Sequence, residues 1–135
     1  MSDFQLDPRL EADSLAVMDL SLCTLRLMND QRFPWLLLIP RRADKEEVLD
    51  LADRDQQHLW DDVRRVARVM QSVLAPNKLN IAALGNQVRQ LHVHVIARFS
   101  DDAAWPNPVW GVGRPEPYPD PAPVIARLRV AFPSA

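Results

Sequence analysis

Two of the three histidines in this 135-residue chain, His92 and His94, stand one residue apart in Gln90-Leu91-His92-Val93-His94-Val95-Ile96. Polar and apolar residues alternate there up to Val95, and an extended strand sends successive side chains to opposite faces. The pattern predicts Gln90, His92 and His94 on one face of a strand running from Gln90 to Phe99, with Leu91, Val93 and Val95 turned into the core. Three nitrogen-bearing side chains in a row are costly to cover without partners. Three readings fit the alternation. In the first, the strand is half-exposed and its outer face is simply polar. In the second, the two imidazoles ligate a metal, although Cys23 is distant and no carboxylate adjoins them as a third ligand. In the third, one imidazole is a nucleophile, since an ordinary pKa of about 6.5 leaves most of it uncharged at neutral pH. Attack on phosphorus would then give a phosphoimidazole and split one hard displacement into two easier ones. The remaining histidine, His58, lies in the polar part of a predicted helix and reads as exposed and inert.

The residues upstream bear on that choice. Asn80-Ile81-Ala82-Ala83-Leu84-Gly85-Asn86-Gln87-Val88-Arg89 ends in a small, amide-rich turn just before the histidines. Neutral amide donors and open main-chain N–H groups at such a turn suit phosphate oxygens held beside an imidazole.

Other elements must position this strand. Leu15 to Met28 reads as one or two strands with a turn around Asp19–Ser21, and Asn29-Asp30-Gln31-Arg32 is a polar break. Trp35 to Pro40 is a short apolar run suited to a strand covered on both faces, with Pro40 at its end where the missing N–H matters least. Asp44 followed by Glu47 predicts a capping box opening a helical region, and Asp53 or Asp55 predicts the cap of a second helix. Leu59, Val63, Val66, Met70 and Val73 then recur at helical spacing, one apolar stripe with Asp61, Asp62, Arg64, Arg65 and Arg68 mostly turned to water. Ala75-Pro76-Asn77 ends that helix. A strand from Lys78 to Leu84 follows. From Asp101 to Pro123 the chain holds most of its twelve prolines together with Trp105 and Trp110. It predicts a long ordered arm, because tryptophans are best stabilised by burial. Val124 to Phe132 predicts a last short helix. The expectation is a single domain over residues 1–135, with the Pro/Trp-rich arm from about residue 101.

Composition narrows the function classes. Hydrophobic residues make up 47% and charged residues 25%, ordinary values for a soluble globular chain. A net charge of −2 supplies no basic face for nucleic acid, and acidic residues interleave Arg41–Arg42 and Arg64–Arg65. The lone Cys23 lies in an apolar stretch and reads as a buried, reduced thiol. The acidic N-terminus has no signal-peptide character, and the longest unbroken apolar run, Trp35 to Ile39, is too short to cross a bilayer. A cytoplasmic location without a membrane partner is expected.

The segment from Gln90 to Ile96 resembles the signature of the histidine triad (HIT) family, in which three histidines alternate with apolar residues and two apolar residues follow. The resemblance runs from about Leu15 to Gly113. Leu27-Met28-Asn29 and Pro34-Trp35-Leu36-Leu37-Leu38-Ile39-Pro40 look like the family's first nucleotide-binding strand pair. Asn80 and Gly85-Asn86 fall where the family has phosphate-contacting residues, and Trp105-Pro106 follows the triad strand as in several members. The resemblance implies an α+β fold: an antiparallel sheet of about five strands with a long helix packed on it, usually doubled in a homodimer. It implies hydrolysis or transfer at the α-phosphate of a nucleotide conjugate, of the dinucleoside polyphosphate or nucleoside phosphoramidate type, with no metal or other cofactor. It makes His92 the nucleophile, while His94 stabilises the phosphoryl group and protonates the leaving group. Asn86 would contact the α-phosphate, Asn29 would lie near the ribose, and Asn80, after a one-residue shift, would meet the phosphate or orient the nucleophile.

The chain departs from the family pattern twice. Gln90 stands for the first triad histidine, completing a catalytic set of His92, His94 and Gln90. Pro34-Trp35 stands where many members have Gly-His. Both family histidines belong to a polar network behind the nucleophile, so the paired loss reads as a coordinated change; Gln90 can hydrogen-bond but cannot titrate. The competing expectation is a non-catalytic nucleotide-binding protein with an altered triad. Trp105 and Trp110 are expected to pack at an interface in preference to stacking on a ligand.

Overall fold

The computed structural model describes residues 3–132. A short helix, α1 (Pro8–Asp13), starts on Asp7, whose carboxylate accepts the main-chain N–H of Arg9. Three strands follow: β1 (Ser14–Asp19), β2 (Cys23–Met28) and β3 (Trp35–Pro40). The long helix α2 (Asp53–Leu74) leads to β4 (Lys78–Ala82) and β5 (Val93–Arg98), and α3 (Ala122–Ala131) lies near the C-terminal end. The five strands form one sheet in the order β1-β2-β3-β5-β4, every neighbouring pair antiparallel. This is the predicted α+β architecture.

The two faces of the sheet carry different layers. On one, α2 sets Leu59, Val63, Val66 and Met70 against Leu25, Leu27, Leu36, Leu38, Val93, Val95 and Ala97. On the other, Trp35, Leu37, Ile39 and Ile96 pack under Leu10, Phe33, Ala104 and Val109, joined by Phe4, Leu6 and Trp110. Every residue of β3 is therefore buried, the reason its run is apolar without alternation. β2 alternates buried and half-buried, as a strand nearer the edge does.

Several local expectations change. Regular pairing in β5 begins at Val93 and ends at Arg98, and β4 stops at Ala82, so both strands are shorter than the alternation suggests. The side-chain alternation still extends back to Leu91, which joins the α2-facing core. The Asp44–Glu47 box does not form. Asp44 takes a left-handed backbone, φ 59°. The box is made instead by Glu47 and Asp50 around a single 3-10 turn, Val48–Asp50. The N-cap of α2 is Ala52, without a side-chain bond; Asp53 and Asp55 lie in its first turn, where carboxylates favour the helix dipole.

Asp62 is the largest departure. It is fully buried, and its Oδ2 accepts the N–H groups of both Leu22 and Cys23 at 2.9 Å, pinning α2 to the turn between β1 and β2. Val73, at the end of the stripe, is only half-buried.

The arm after β5 is tied down by an ion pair. Arg98 is 2% exposed, its Nε donating to Asp102 Oδ2 at 2.8 Å and its Nη2 to Asp102 Oδ1 at 3.1 Å. Nη2 also reaches the carbonyl of Asn107. The arm is thereby folded back over the sheet. Among the described residues no helix is long and apolar enough to cross a membrane.

Candidate active site

His94 occupies the middle of the sheet, opposite Leu37 of β3 on one side and Ala82 of β4 on the other. Trp35 of β3 projects on the same face, and its indole Nε1–H donates to His94 Nδ1 at 2.9 Å. An indole nitrogen can only donate, so Nδ1 is the acceptor and the ring hydrogen sits on Nε2. Nε2 itself is buried and has no hydrogen-bond partner among the described residues. Burial, with a smaller contribution from the neighbouring His92, pushes the His94 pKa down to about 3, so the ring is neutral at physiological pH.

His92 is held the opposite way round. Its Nδ1 lies 2.6 Å from the main-chain carbonyl of Gln90. A carbonyl only accepts, so Nδ1 carries the hydrogen and the lone pair of Nε2 is free. The two imidazoles stand 4.9 Å apart, edge to face. Trp110, delivered by the arm, closes over them, 5.0 Å from His94 and 5.8 Å from Trp35.

These rings form one wall of a groove of about 350 Å³. Its other walls are the turn from Leu84 to Val88 and, from α1, Leu10 and Asp13. Gly85 makes that turn with φ 69°, in the left-handed region where a side chain is strained. A second hollow of about 420 Å³ shares Asp13, Met28, Trp35 and Gln87 with the first and carries Asn29 on its wall. No lysine or arginine lines either hollow. Their polar side chains are the amides of Asn29, Asn86 and Gln87, the two imidazoles and the carboxylates of Asp13 and Asp30.

His92, His94 and Asn86 thus converge on one groove. Gln90 does not line it. Its amide is taken up by the N-terminal segment, bonding the main chain of Gln5 and Asp7. Asn80 is also elsewhere: its Oδ1 accepts from Arg98 Nη1 at 2.8 Å, and it lines a separate cavity beside Trp105. Asn29 is in the adjoining hollow, its Oδ1 accepting the N–H of Tyr118 at 2.9 Å. The two tryptophans of the arm part company. Trp110 is a wall of the groove, whereas Trp105 is 37% exposed beside Arg98. Trp35 was not marked as a site residue in the sequence. Its signals are an indole within an otherwise aliphatic strand and its place where many HIT members have a histidine, and the β3–β5 register gives them meaning. Among the described residues no cluster of three or more His, Cys, Asp or Glu could hold a metal.

The comparisons with known proteins agree with this fold. A family model described as HIT domain matches residues 9–101. A histidine triad protein of Sinorhizobium meliloti is 48% identical with a TM-score of 0.93, covering 96% of this chain and 98% of its own. One from Bradyrhizobium japonicum is 45% identical with a TM-score of 0.92 and the same coverages, 96% and 98%. One from Marinobacter aquaeolei is 40% identical with a TM-score of 0.93, covering 96% of each chain. No curated protein matches.

Proposed function

The chain belongs to the HIT domain family, and from that premise we propose a nucleotide hydrolase or nucleotidyl transferase that works through a covalent intermediate on His92. The observation that carries this reading is the 2.6 Å contact from His92 Nδ1 to the Gln90 carbonyl, which leaves Nε2 as a free lone pair at the groove. Nε2 attacks the α-phosphorus of a nucleotide conjugate, and the bond from phosphorus to the leaving group breaks with its electron pair going to the leaving group. The Asn86 amide, the main-chain N–H groups of the 84–88 turn and the Nε2–H of His94 meet the phosphoryl oxygens. Water or another acceptor then attacks phosphorus, the P–N bond breaks, and the lone pair returns to His92. The adjoining hollow beside Asn29 accommodates the nucleoside. We further place the protein in the cytoplasm as a homodimer, with dinucleoside polyphosphates or nucleoside phosphoramidates as the substrate classes to try first.

A non-catalytic nucleotide-binding protein is the second reading. It draws support from the neutral His94 and from Gln90, which cannot titrate. One experiment separates the two: incubation with an adenylyl phosphoramidate and a diadenosine polyphosphate, following nucleoside monophosphate release by wild type and His92→Ala. Release by wild type and its loss in His92→Ala supports the enzyme. No release across a panel of bases leaves the binding protein, and release untouched by His92→Ala removes His92 as nucleophile.

A further inference from the structure

The bond between Trp35 and His94 has a chemical consequence for any reaction at this groove. A general acid must hold a proton that it can lose to give a stable base. Protonated His94 would carry hydrogen on both nitrogens, and its Nδ1–H would then point at the indole N–H of Trp35 across 2.9 Å. Two donors cannot share that line. The remaining hydrogen, on Nε2 of a neutral ring, leaves only to form a buried imidazolate, a stronger base than a departing carboxylate, sulfate or aryloxide. His94 in this setting therefore donates a hydrogen bond but not a proton.

Trp35 has little freedom to yield. It is 6% exposed, stands 6.4 Å from Phe33 and 5.8 Å from Trp110 in edge contacts, and its main chain is paired with Ile96. Burial of His94 acts in the same direction, holding the ring neutral. Of the other groups on the groove, His92 supplies the nucleophilic lone pair and Asp13 is the one carboxyl.

We propose, resting on the hydrolase reading above, that Trp35 is a positioning residue that sets leaving-group specificity: by fixing His94 as a neutral Nε2–H donor, it restricts the site to nucleotidyl conjugates whose leaving group departs as a stable anion. The substrate class is a nucleoside 5′-phosphate joined to a carboxylate, a sulfate or an acidic aryloxide, not to an alkyl amine. In the first step the P–O bond breaks and the oxygen keeps the pair, with no proton transferred. The nucleotidyl group is left on Nε2 of His92, whose Nδ1–H faces the Gln90 carbonyl. In the second step water attacks phosphorus, its proton passes to solvent, and the P–N bond returns its pair to Nε2.

The test has two independent readouts. Imidazole 15N NMR of the wild-type protein should show His94 as the Nε2–H tautomer, unchanged from about pH 5 to 8, where a free imidazole titrates. A doubly protonated ring or an Nδ1–H tautomer would overturn the proposal whatever the activity. The second readout is turnover of a graded series of aryl esters of a nucleoside 5′-monophosphate and of an alkylamine phosphoramidate. Wild type should hydrolyse the 4-nitrophenyl ester at least about tenfold faster than the phenyl ester, the dependence expected when no acid assists departure. Trp35→Phe, which keeps a ring but removes the N–H, should flatten that ratio to within about threefold and raise turnover of the phosphoramidate, because burial alone then opposes protonation at Nδ1. Trp35→His, whose ring can accept as well as donate, should flatten the ratio as Trp35→Phe does. Turnover with a flat series in wild type, or an unchanged ratio in Trp35→Phe, defeats the proposal while sparing the hydrolase reading. Absence of nucleotide release from every ester defeats the hydrolase reading and the leaving-group role with it, and the NMR result then decides the tautomer alone.

Discussion

The side-chain amide of Gln90 grips the main chain at Asp7: Oε1 accepts the Asp7 N–H at 2.8 Å while Nε2 donates to the Gln5 carbonyl at 2.8 Å. A carboxamide presents an acceptor and a donor side by side, as a peptide group does, and a single imidazole cannot satisfy both main-chain partners in that way. The main-chain carbonyl of the same residue holds Nδ1 of His92. Gln90 thus faces the N-terminal segment with its side chain and His92 with its backbone. That segment continues into α1, whose Leu10 and Asp13 wall the groove.

Gln90→Leu should release the segment without disturbing the orientation of His92. The loss of two hydrogen bonds is expected to cost about 1–3 kcal/mol. Amide hydrogen exchange at Asp7 should quicken, and KM for a nucleotide ester should rise by a larger factor than kcat falls. A collapse of kcat with KM unchanged would place the Gln90 side chain in the chemistry.

His94 makes stability depend on pH in a defined window. Its folded pKa lies at about 3, below the ordinary value. Below about pH 6.5 the unfolded chain therefore takes up a proton that the folded chain refuses, and the slope approaches about 1.4 kcal/mol per pH unit. Stability falls as pH drops from about 6.5 towards 3 and is insensitive to this group above that range. Urea unfolding across these pH values should show a shallower slope in His94→Gln than in wild type.

Asp102 is the anchor of the arm. The Arg98 guanidinium beside it holds its carboxyl at about 2, so the contribution of the pair is present above the ordinary carboxylate range and is lost only as pH falls through that value. Asp102→Ala strands a buried guanidinium and removes the acceptor for the N–H groups of Phe99, Ala104 and Trp105. A loss of about 3–5 kcal/mol is expected in chemical denaturation. Tryptophan fluorescence should shift with it, because Trp110 is carried by the same arm.

Asp62 and Cys23 form a pair that thiol chemistry can read. Burial, reinforced by the nearby Asp62, pushes the Cys23 thiol far up, so the folded protein should resist alkylating reagents that modify the unfolded chain. Asp62→Ala leaves two buried main-chain N–H groups without their acceptor and should cost about 1–3 kcal/mol for each. Cys23 should then react through local opening, whereas Asp62→Asn, which keeps an acceptor oxygen, should lie between the two.

What residue patterning could specify here is what neighbours along the chain decide. The apolar run Trp35–Pro40, the stripe Leu59–Met70 and the alternation around His92 and His94 locate two strands and the long helix, because strand and helix periods are local properties. Helix starts were misplaced because a cap depends on backbone angles, and Asp44 and Ala52 reveal theirs only in the folded chain. Asp62 read as solvated because its partners, Leu22 and Cys23, lie 40 and 39 residues away. The same limit applies at the site. His92, His94 and the Gly85-Asn86 turn were visible as neighbours in sequence, so their meeting at one groove was legible there. That Trp35 fixes the hydrogen on His94 across 59 residues, that Gln90 binds the chain 83 residues upstream, and that Asn80 serves Arg98 were all set by strand register and the fold of the arm. The sequence alone placed the imidazoles; the tertiary structure decided which nitrogen of each carries the proton, because a hydrogen-bond partner is chosen by position in space.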